Sequence, residues 1–385
     1  HAPFIAELEK GGRGLKFCAI LGEDEFLVQQ GTAWQETTTW RISGERITKV
    51  ENVAGFAWSR NRAHFVTLYK NGGLTVGTSF DADVAQLLPH PAATDFVPHG
   101  LTEEQRAQYT IVETAAVTDL AVSDDGQSVL ITDEARGVLL LRNTGDGWER
   151  RLLYPSLELD LAEDLQNWFI EESDPYRPFL DMLHAALSPD GRFVALGTQD
   201  AGHHVLDVSD EPRRYAKLGH LSEYPHYAWF SDDSKVVAFN SCHFYNGATF
   251  ASELLAIEGI ETEPYEQHQK QTLLNPYLRV YAAGFLPASM TSECETGAVL
   301  LAGSGFASCV TPGGDLLWEL GFGSSAGGVD ICPKTGRVLL ASFSGMLHLF
   351  DPARTQEIPI HDGYKVPEEL RRWVFWDRLR RPLIW

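Results

Sequence analysis

The stretch that decides the fold lies in the middle of the chain, where residues 185–191 read AALSPDG. It is followed by RFVALGTQD at 192–200 and by HHVLDVS at 203–209. The Ser-Pro-Asp-Gly sequence favours a tight turn, and the runs around it are short, apolar and rich in β-branched residues. This stretch therefore predicts three antiparallel strands that are joined by short turns.

The same order of strand, turn and strand recurs along the chain, which indicates a repeat protein. Six further copies begin near residues 17, 56, 120, 227, 283 and 328. Their turns are about 55 residues apart on average, whereas a four-stranded propeller blade needs about 40–50, so the excess is assigned to inserted loops. No copy has the paired helical periodicity of a solenoid. The sequence predicts an all-β fold, a seven-bladed β-propeller of four-stranded antiparallel blades with short helices in inserted loops.

The central repeat resembles a WD40 repeat, in which a Ser-Pro-Asp-Gly turn is followed by an aspartate and then by a Trp-Asp pair. Here Asp200 stands twelve residues after Ser188, and Leu206-Asp207 takes the place of Trp-Asp. Asp207 lies nineteen residues after Ser188, and Asp351 lies nineteen residues after Cys332. A Gly-His pair at 219–220 precedes the next repeat. No repeat has a true Trp-Asp pair. The chain is therefore identified as a divergent member of the WD40-like propellers, which implies a protein-binding scaffold.

The charge balance narrows the class of partner. The 385 residues include 53 Asp and Glu against 31 Lys and Arg, and the formal net charge is −22. Nucleic acids and anionic lipids are bound by Lys and Arg side chains, so the sequence predicts neither a nucleic-acid partner nor a membrane. An acidic surface suits a basic protein partner, which electrostatic attraction captures quickly.

The cysteines and the chain ends indicate a reducing compartment. The five cysteines are widely spaced and include no CxxC, so we expect reduced thiols rather than a disulfide framework or a structural zinc site. The first ten residues show no secretory signal, and no apolar run is long enough to cross a membrane. A cytoplasmic location is the expectation.

The chain is expected to form one domain over residues 1–385. Inserted loops are predicted at about 81–116, 151–182 and 255–277, with a C-terminal clasp at 361–385. In the first loop, residues 102–105 have the spacing of a capping box and predict a short helix. Strands from both chain ends are expected to complete the last blade, with Ile358-Pro359-Ile360 or Pro382-Leu383-Ile384-Trp385 as the C-terminal contribution.

The insertion at 151–182 is the predicted binding surface. Between residues 158 and 181 it carries eight acidic and four aromatic side chains. One interpretation is a solvated helix whose aromatic side chains pack on the sheets. The other is a protruding lobe whose carboxylates and aromatic anchors bind a basic partner, since insertions in repeat proteins often gather on the binding face. The predicted partner-binding residues are Glu163, Asp164, Trp168, Glu171, Glu172, Asp174 and Tyr176.

Motifs for catalysis are weak in this chain. Six histidines crowd its middle, but no HxH or HxxxH spacing supports a metal site. Ser304 and Ser324 lie in Gly/Ser runs that lack the GxSxG pattern of a hydrolase elbow. The histidines are His184, His203, His204, His220, His226 and His243.

The sequence therefore predicts a non-enzymatic scaffold with no catalytic residue, no cofactor and no metal, monomeric by itself. One specific version is a bacterial immunity or inhibitor protein that neutralises a basic toxin. The alternative is a propeller enzyme of the lactonase or hydrolase type with a metal site on the propeller axis.

Overall fold

The computed structural model describes residues 13–31, 36–82, 85–159, 161, 178–288, 297–357, 365–376 and 381–385. Over these residues the strands form six antiparallel sheets. One α-helix, α1 (Glu103–Gln108), and two 3-10 turns, Ala93–Phe96 and Leu254–Ala256, accompany them there. The predicted all-β class is confirmed.

Five sheets each contain four sequence-consecutive strands. The first is β1 (Leu15–Gly22), β2 (Glu25–Gln30), β3 (Thr38–Ser43) and β4 (Arg46–Val50), and the second is β5 (Val53–Trp58), β6 (Phe65–Tyr69), β7 (Leu74–Gly77) and β8 (Gln86–Leu88). The third is β9 (Val117–Val122), β10 (Ser128–Asp133), β11 (Gly137–Asn143) and β12 (Trp148–Tyr154). The fourth is β13 (His184–Leu187), β14 (Phe193–Thr198), β15 (Gly202–Asp207) and β16 (Arg213–Leu218). The fifth is β17 (Tyr224–Phe230), β18 (Val236–His243), β19 (Asn246–Glu253) and β20 (Thr272–Asn275).

The sixth sheet has seven strands and departs from the prediction of seven separate blades. Its strand β23 pairs with β22 through residues 316–325 and with β24 through residues 326–331, so two predicted repeats share one strand. Residues 321–328 read GFGSSAGG, and this Gly/Ser-rich run favours a turn between the repeats, yet β23 continues through it with Gly323 at a φ of 74°. The strands are β21 (Val280–Leu286), β22 (Ala298–Val310), β23 (Leu316–Ile331), β24 (Val338–Ser342), β25 (Met346–Glu357), β26 (Lys365–Val374) and β27 (Leu383–Ile384).

The chain divides into two compact units. Unit 1 contains His1–Gly55, Cys242–Ala251 and Gln271–Trp385, and unit 2 contains Phe56–Ser241 and Ser252–Lys270. The expectation that all 385 residues form one domain stays a prediction.

In unit 1 the first sheet packs against the last strands of the chain. Apolar side chains of β1–β3 and β24–β26 form one buried cluster around Trp373, whose burial contributes roughly 2–3 kcal/mol. The Ile20 N–H donates to Asp330 Oδ2 at 2.6 Å. A Cβ at Gly327 would overlap the carbonyl oxygen of Leu15, so this position needs a glycine for the backbones of β1 and β23 to approach each other.

In unit 2 four turns between first and second strands share one hydrogen-bond pattern. Each begins with a serine whose hydroxyl donates to an Asp or Asn side chain two residues later, at 2.5–2.7 Å. The same hydroxyl accepts from the backbone N–H five residues later, at 2.8–3.0 Å. This local bonding satisfies the polar groups of the turn. The serines are Ser59, Ser123, Ser188 and Ser231.

These four turns also contact one another. The Asp124 N–H donates to the Pro189 carbonyl at 2.7 Å, and Asn61 Nδ2 donates to the Asp124 carbonyl at 3.0 Å. Arg60 forms an ion pair with Asp232 at 3.5 Å, which joins the turn of the second sheet to that of the fifth. Turns from successive repeats therefore meet in unit 2.

The predicted helix is confirmed in the 81–116 insertion. Thr102 is the N-cap of α1, its Oγ1 accepts from the Gln105 N–H at 3.2 Å, and the Gln105 side chain accepts from the Thr102 N–H at 2.9 Å. This reciprocal pair is the predicted capping box. No helix in the described part of the chain is long and apolar enough to cross a membrane.

The C-terminal residues supply an edge strand. β27 pairs with β26 through Ile384 opposite Trp373 and Leu383 opposite Val374. The segment 382–385 therefore provides the strand expected from this end, while 358–360 lies outside the described residues. A contribution from the other chain end stays a prediction, because residues 1–12 also lie outside them.

Candidate functional site

The insertion at 151–182 is anchored at both of its described ends. Leu159 and Leu161 are buried in the hydrophobic cluster of the third and fourth sheets, and Leu180 and Leu183 pack against the same cluster. The predicted partner-binding residues between them lie outside the described part of the chain: Glu163, Asp164, Trp168, Glu171, Glu172, Asp174 and Tyr176. Their role stays a prediction.

Unit 1 exposes aromatic side chains on neighbouring loops. Phe244 and Tyr245 form the turn between β18 and β19, and Tyr277 lies between β20 and β21. Their side chains are 72%, 79% and 78% exposed. Large aromatic residues left this open are uncommon unless they serve an interface, where Tyr and Phe are enriched. We call the following residues the aromatic loop cluster: Phe244, Tyr245, Tyr277, Arg279, Tyr281 and Phe343.

Arg279 holds the aromatic loop cluster together. Its Nη1 donates to the Phe244 carbonyl at 2.7 Å, and its guanidinium lies 5.1 Å from the ring centre of Tyr281. The Tyr281 ring in turn meets Phe343 edge-on at 6.3 Å. The Arg279 carbonyl accepts from the Ser304 N–H at 3.2 Å, which ties the cluster to β22. These contacts link Phe244, Tyr281 and Phe343 within the cluster.

The backbone at Phe244 is strained. Its φ is 52°, in the left-handed region that bulky residues rarely adopt. Two-residue hairpin turns favour Asn-Gly or Asp-Gly because those residues accept positive φ, yet this turn reads Phe-Tyr. A residue in such a region costs on the order of 1–3 kcal/mol, and strain of this kind concentrates at functional sites. The ring at this position recovers little of that free energy within the chain, because it is exposed.

The aromatic loop cluster has the chemistry of a protein-binding surface. Exposed Tyr and Phe rings provide large apolar contact area with few rotatable bonds, and they bind Lys or Arg side chains through their π faces. The cluster contains no carboxylate, and its one charged residue, Arg279, is already engaged by Phe244 and Tyr281. Its side chains can therefore anchor a partner.

The predicted histidine group is partly assembled in unit 2. His184 Nε2 lies 3.3 Å from His203 Nδ1, and His203 Nε2 lies 3.0 Å from Ser241 Oγ. Burial lowers the pKa of His184 to about 4, against the opposing effect of its hydrogen bond to the Met182 carbonyl. Burial, together with the neighbouring imidazoles, holds the pKa of His203 well below its usual value. Both rings are therefore neutral at pH 7 and form a buried hydrogen-bonded chain.

The other motifs singled out in the sequence lie in regular strands. His204 is a buried residue of β15, as predicted. Ser304 and Ser324 fall inside β22 and β23, which no helix follows in the described chain, so neither has the setting of a nucleophile elbow. Within the described residues no three His, Cys, Asp or Glu side chains gather as a metal-binding group.

Sequence reasoning missed the aromatic loop cluster. A signal was present at 243–246, where His-Phe-Tyr-Asn stands between two strand patterns in place of a Gly-containing turn. The contribution of Tyr277, Tyr281 and Phe343 depends on tertiary contacts that no local pattern reveals.

Comparison with known proteins finds no family that matches the chain and no curated protein that matches it.

Proposed function

We propose that this protein is a non-enzymatic scaffold of the propeller type that binds a basic protein partner, with the aromatic loop cluster as an anchor. The observation that carries the proposal is Phe244, an aromatic residue held in a left-handed backbone conformation with 72% of its surface exposed. Within the chain the ring meets the His243 ring edge-on at 4.4 Å, and a binding partner would bury the large part of it that stays exposed.

Three observations support seven propeller blades. The turns of successive repeats meet in unit 2. In unit 1 the first sheet packs against the last strands, as the neighbouring ends of a ring would. The two halves of β23 pair with different partners, which is consistent with two repeats joined through that strand.

The partner's charge follows from that of the chain. A net charge of −22 attracts a cationic protein over long range, and exposed tyrosine rings bind its Lys and Arg side chains at contact. The acidic insertion at 151–182 would add to this attraction. An immunity or inhibitor protein for a basic toxin is one scaffold with these properties.

The test compares partner capture by two matched variants. The first replaces Phe244, Tyr245 and Tyr277 by serine. The control replaces two exposed leucines of unit 2, Leu87 and Leu255, which are 72% and 86% exposed. We expect a basic protein that the native chain retains from source-cell extract to be lost by the aromatic variant and kept by the leucine variant. Equal retention by both variants would exclude the aromatic loop cluster as the anchor.

A further inference from the structure

Unit 2 contains a pocket of about 380 Å³ that the proposed function does not use. It lies where β15 begins and β16 ends, beside the described ends of the 151–182 insertion. Its volume is in the range of sites that hold small organic ligands. All of its lining residues belong to unit 2.

The buried lining of the pocket combines apolar side chains with polar groups. Tyr154, Leu161 and Leu218 are buried and line it. The Tyr154 hydroxyl lies 3.5 Å from Thr198 Oγ1, and Thr262 Oγ1 accepts from a backbone N–H at 2.6 Å. An apolar body of a ligand would be excluded from water here, while the hydroxyl groups limit how it is oriented.

The rim carries charges of both signs. Asp200 and Glu263 are exposed carboxylates, and Lys217 is half-buried between the floor and the solvent. None of the ion pairs among the described residues includes Lys217, although the chain carries a net charge of −22. Lys217 is a half-buried residue with no carboxylate partner among the described residues, so its position favours an anionic group of a ligand.

The loops beside the pocket are strained in the same way as Phe244. Tyr265 and Met182 have φ values of 64° and 57°. Tyr265 is 63% exposed, its N–H donates to the His220 carbonyl at 2.8 Å, and its ring meets the His220 ring at 5.0 Å. His220 lines the pocket. Strain in non-glycine residues around a cavity is typical of a binding site, and this observation is independent of the charges.

We propose that this pocket binds a free α-amino acid with an apolar side chain. The ligand carboxylate pairs with Lys217, its ammonium group pairs with Asp200 or Glu263, and its side chain packs on Tyr154 and Leu161. A ligand with only a negative charge would be repelled by Asp200 and Glu263. A ligand with only a positive charge would be repelled by Lys217. A zwitterion satisfies both signs of charge, and the apolar side chains of the lining provide contacts for its own side chain.

Calorimetric titration of the full chain tests the ligand class with three probes of one shape. L-Phenylalanine carries both charges, 3-phenylpropionate lacks the ammonium group, and phenethylamine lacks the carboxylate. We expect L-phenylalanine to bind at least about tenfold more tightly than either analogue. Equal binding of all three, or no binding of L-phenylalanine and L-leucine at about 10 mM, overturns the proposal.

Two variants with one control test the residues. Lys217→Gln should weaken L-phenylalanine binding by about tenfold and leave phenethylamine unchanged, because only the former has a carboxylate. Asp200→Asn should weaken the binding of L-phenylalanine and leave the binding of 3-phenylpropionate unchanged. This variant tests the pocket if the lysine variant fails to fold. Lys235→Gln, in an exposed turn of unit 2, should change nothing. Undiminished L-phenylalanine binding by the first two variants would show that the pocket is not its site. These outcomes are independent of the aromatic loop cluster, which belongs to unit 1.

Discussion

Phe244 combines two properties that rarely occur together in a side chain kept only for folding. Its backbone lies in the left-handed region and its ring is mostly exposed, with an edge-on contact to the His243 ring at 4.4 Å. Asn or Gly would form the same turn with less strain. The proposed partner would bury the exposed ring.

Replacing Phe244 by glycine should separate stability from binding. Phe244→Gly removes the strained side chain, so we expect the free energy of unfolding to rise by about 1 kcal/mol in urea titration, while partner capture falls. The control is Asn52→Gly, at an exposed residue of unit 1 with φ 63°, which should leave capture unchanged. Loss of stability together with retained capture would contradict the assigned role of Phe244.

The buried pair His184–His203 makes the protein sensitive to mild acid. Both rings are neutral in the folded chain, whereas an unfolded histidine takes up a proton near pH 6.5. Stability should therefore be complete above about pH 6.5 and fall as the pH drops towards 4, by roughly 3 kcal/mol for His184 alone. Chemical unfolding at a series of pH values measures this slope, and His184→Gln should make it shallower.

The imidazoles that face His203 are those of His184, His220, His204 and His226.

Acidic groups act in a separate pH window. Burial disfavours ionisation of Asp207, but hydrogen bonds from Ser209 and Arg192 outweigh it and lower the pKa to about 2. Its contribution is present above about pH 4 and is lost as the pH falls through 2, below the histidine window. A fall in stability confined to pH below 4 would refute the role of the histidines.

At the scale of single elements, the serine turns are the features that the sequence predicted most fully. Each turn serine and its Asp or Asn partner act within six positions, so a local pattern such as that around residue 188 was enough to find these turns. The capping box of α1 was predictable for the same reason. The joining of two repeats through β23 was not, because pairing of its two halves depends on strands on either side of it. The aromatic loop cluster likewise combines loops that are distant in sequence.

Removing one turn serine should destabilise unit 2 measurably. Ser188→Ala takes the acceptor from the buried Phe193 N–H, so we expect the free energy of unfolding to fall by about 1–3 kcal/mol. The matched variant Ser222→Ala, in a loop of the same unit, should change it by less than about 0.5 kcal/mol. Urea titration of both proteins makes the comparison, and equal midpoints would mean that the turn hydroxyl contributes nothing.

At the scale of the whole molecule, the charge of −22 sets how fast a cationic partner arrives rather than how tightly it is held. Aromatic anchors act after contact, chiefly by slowing dissociation. The contributions of charge and of the aromatic anchors can therefore be separated by measuring association and dissociation rates. Variants of the acidic insertion at 151–182 test the contribution of charge.

Charge reversal in that insertion should slow association. Replacing Glu163, Asp164, Glu171 and Glu172 by lysine should lower the association rate constant and its dependence on salt, because like charges then meet. The double variant Glu103→Lys and Glu104→Lys, in α1 of the insertion at 81–116, should have a smaller effect. Stopped-flow mixing with the captured partner measures both rates, and an unchanged rate in the fourfold variant would make the insertion a structural element.

The strand β23 also bears on how the repeats can be inherited. In most repeat arrays a gene can gain or lose one copy at a time, because each copy pairs its strands within itself. Strand β23 contributes residues 316–325 to one copy and residues 326–331 to the next, so a deletion of either copy would cut through a continuous strand. The remaining half would expose unpaired backbone N–H and C=O groups, with which a strand of another chain could pair. The two copies joined by β23 are therefore expected to be duplicated or lost together, whereas the earlier sheets can change in number singly.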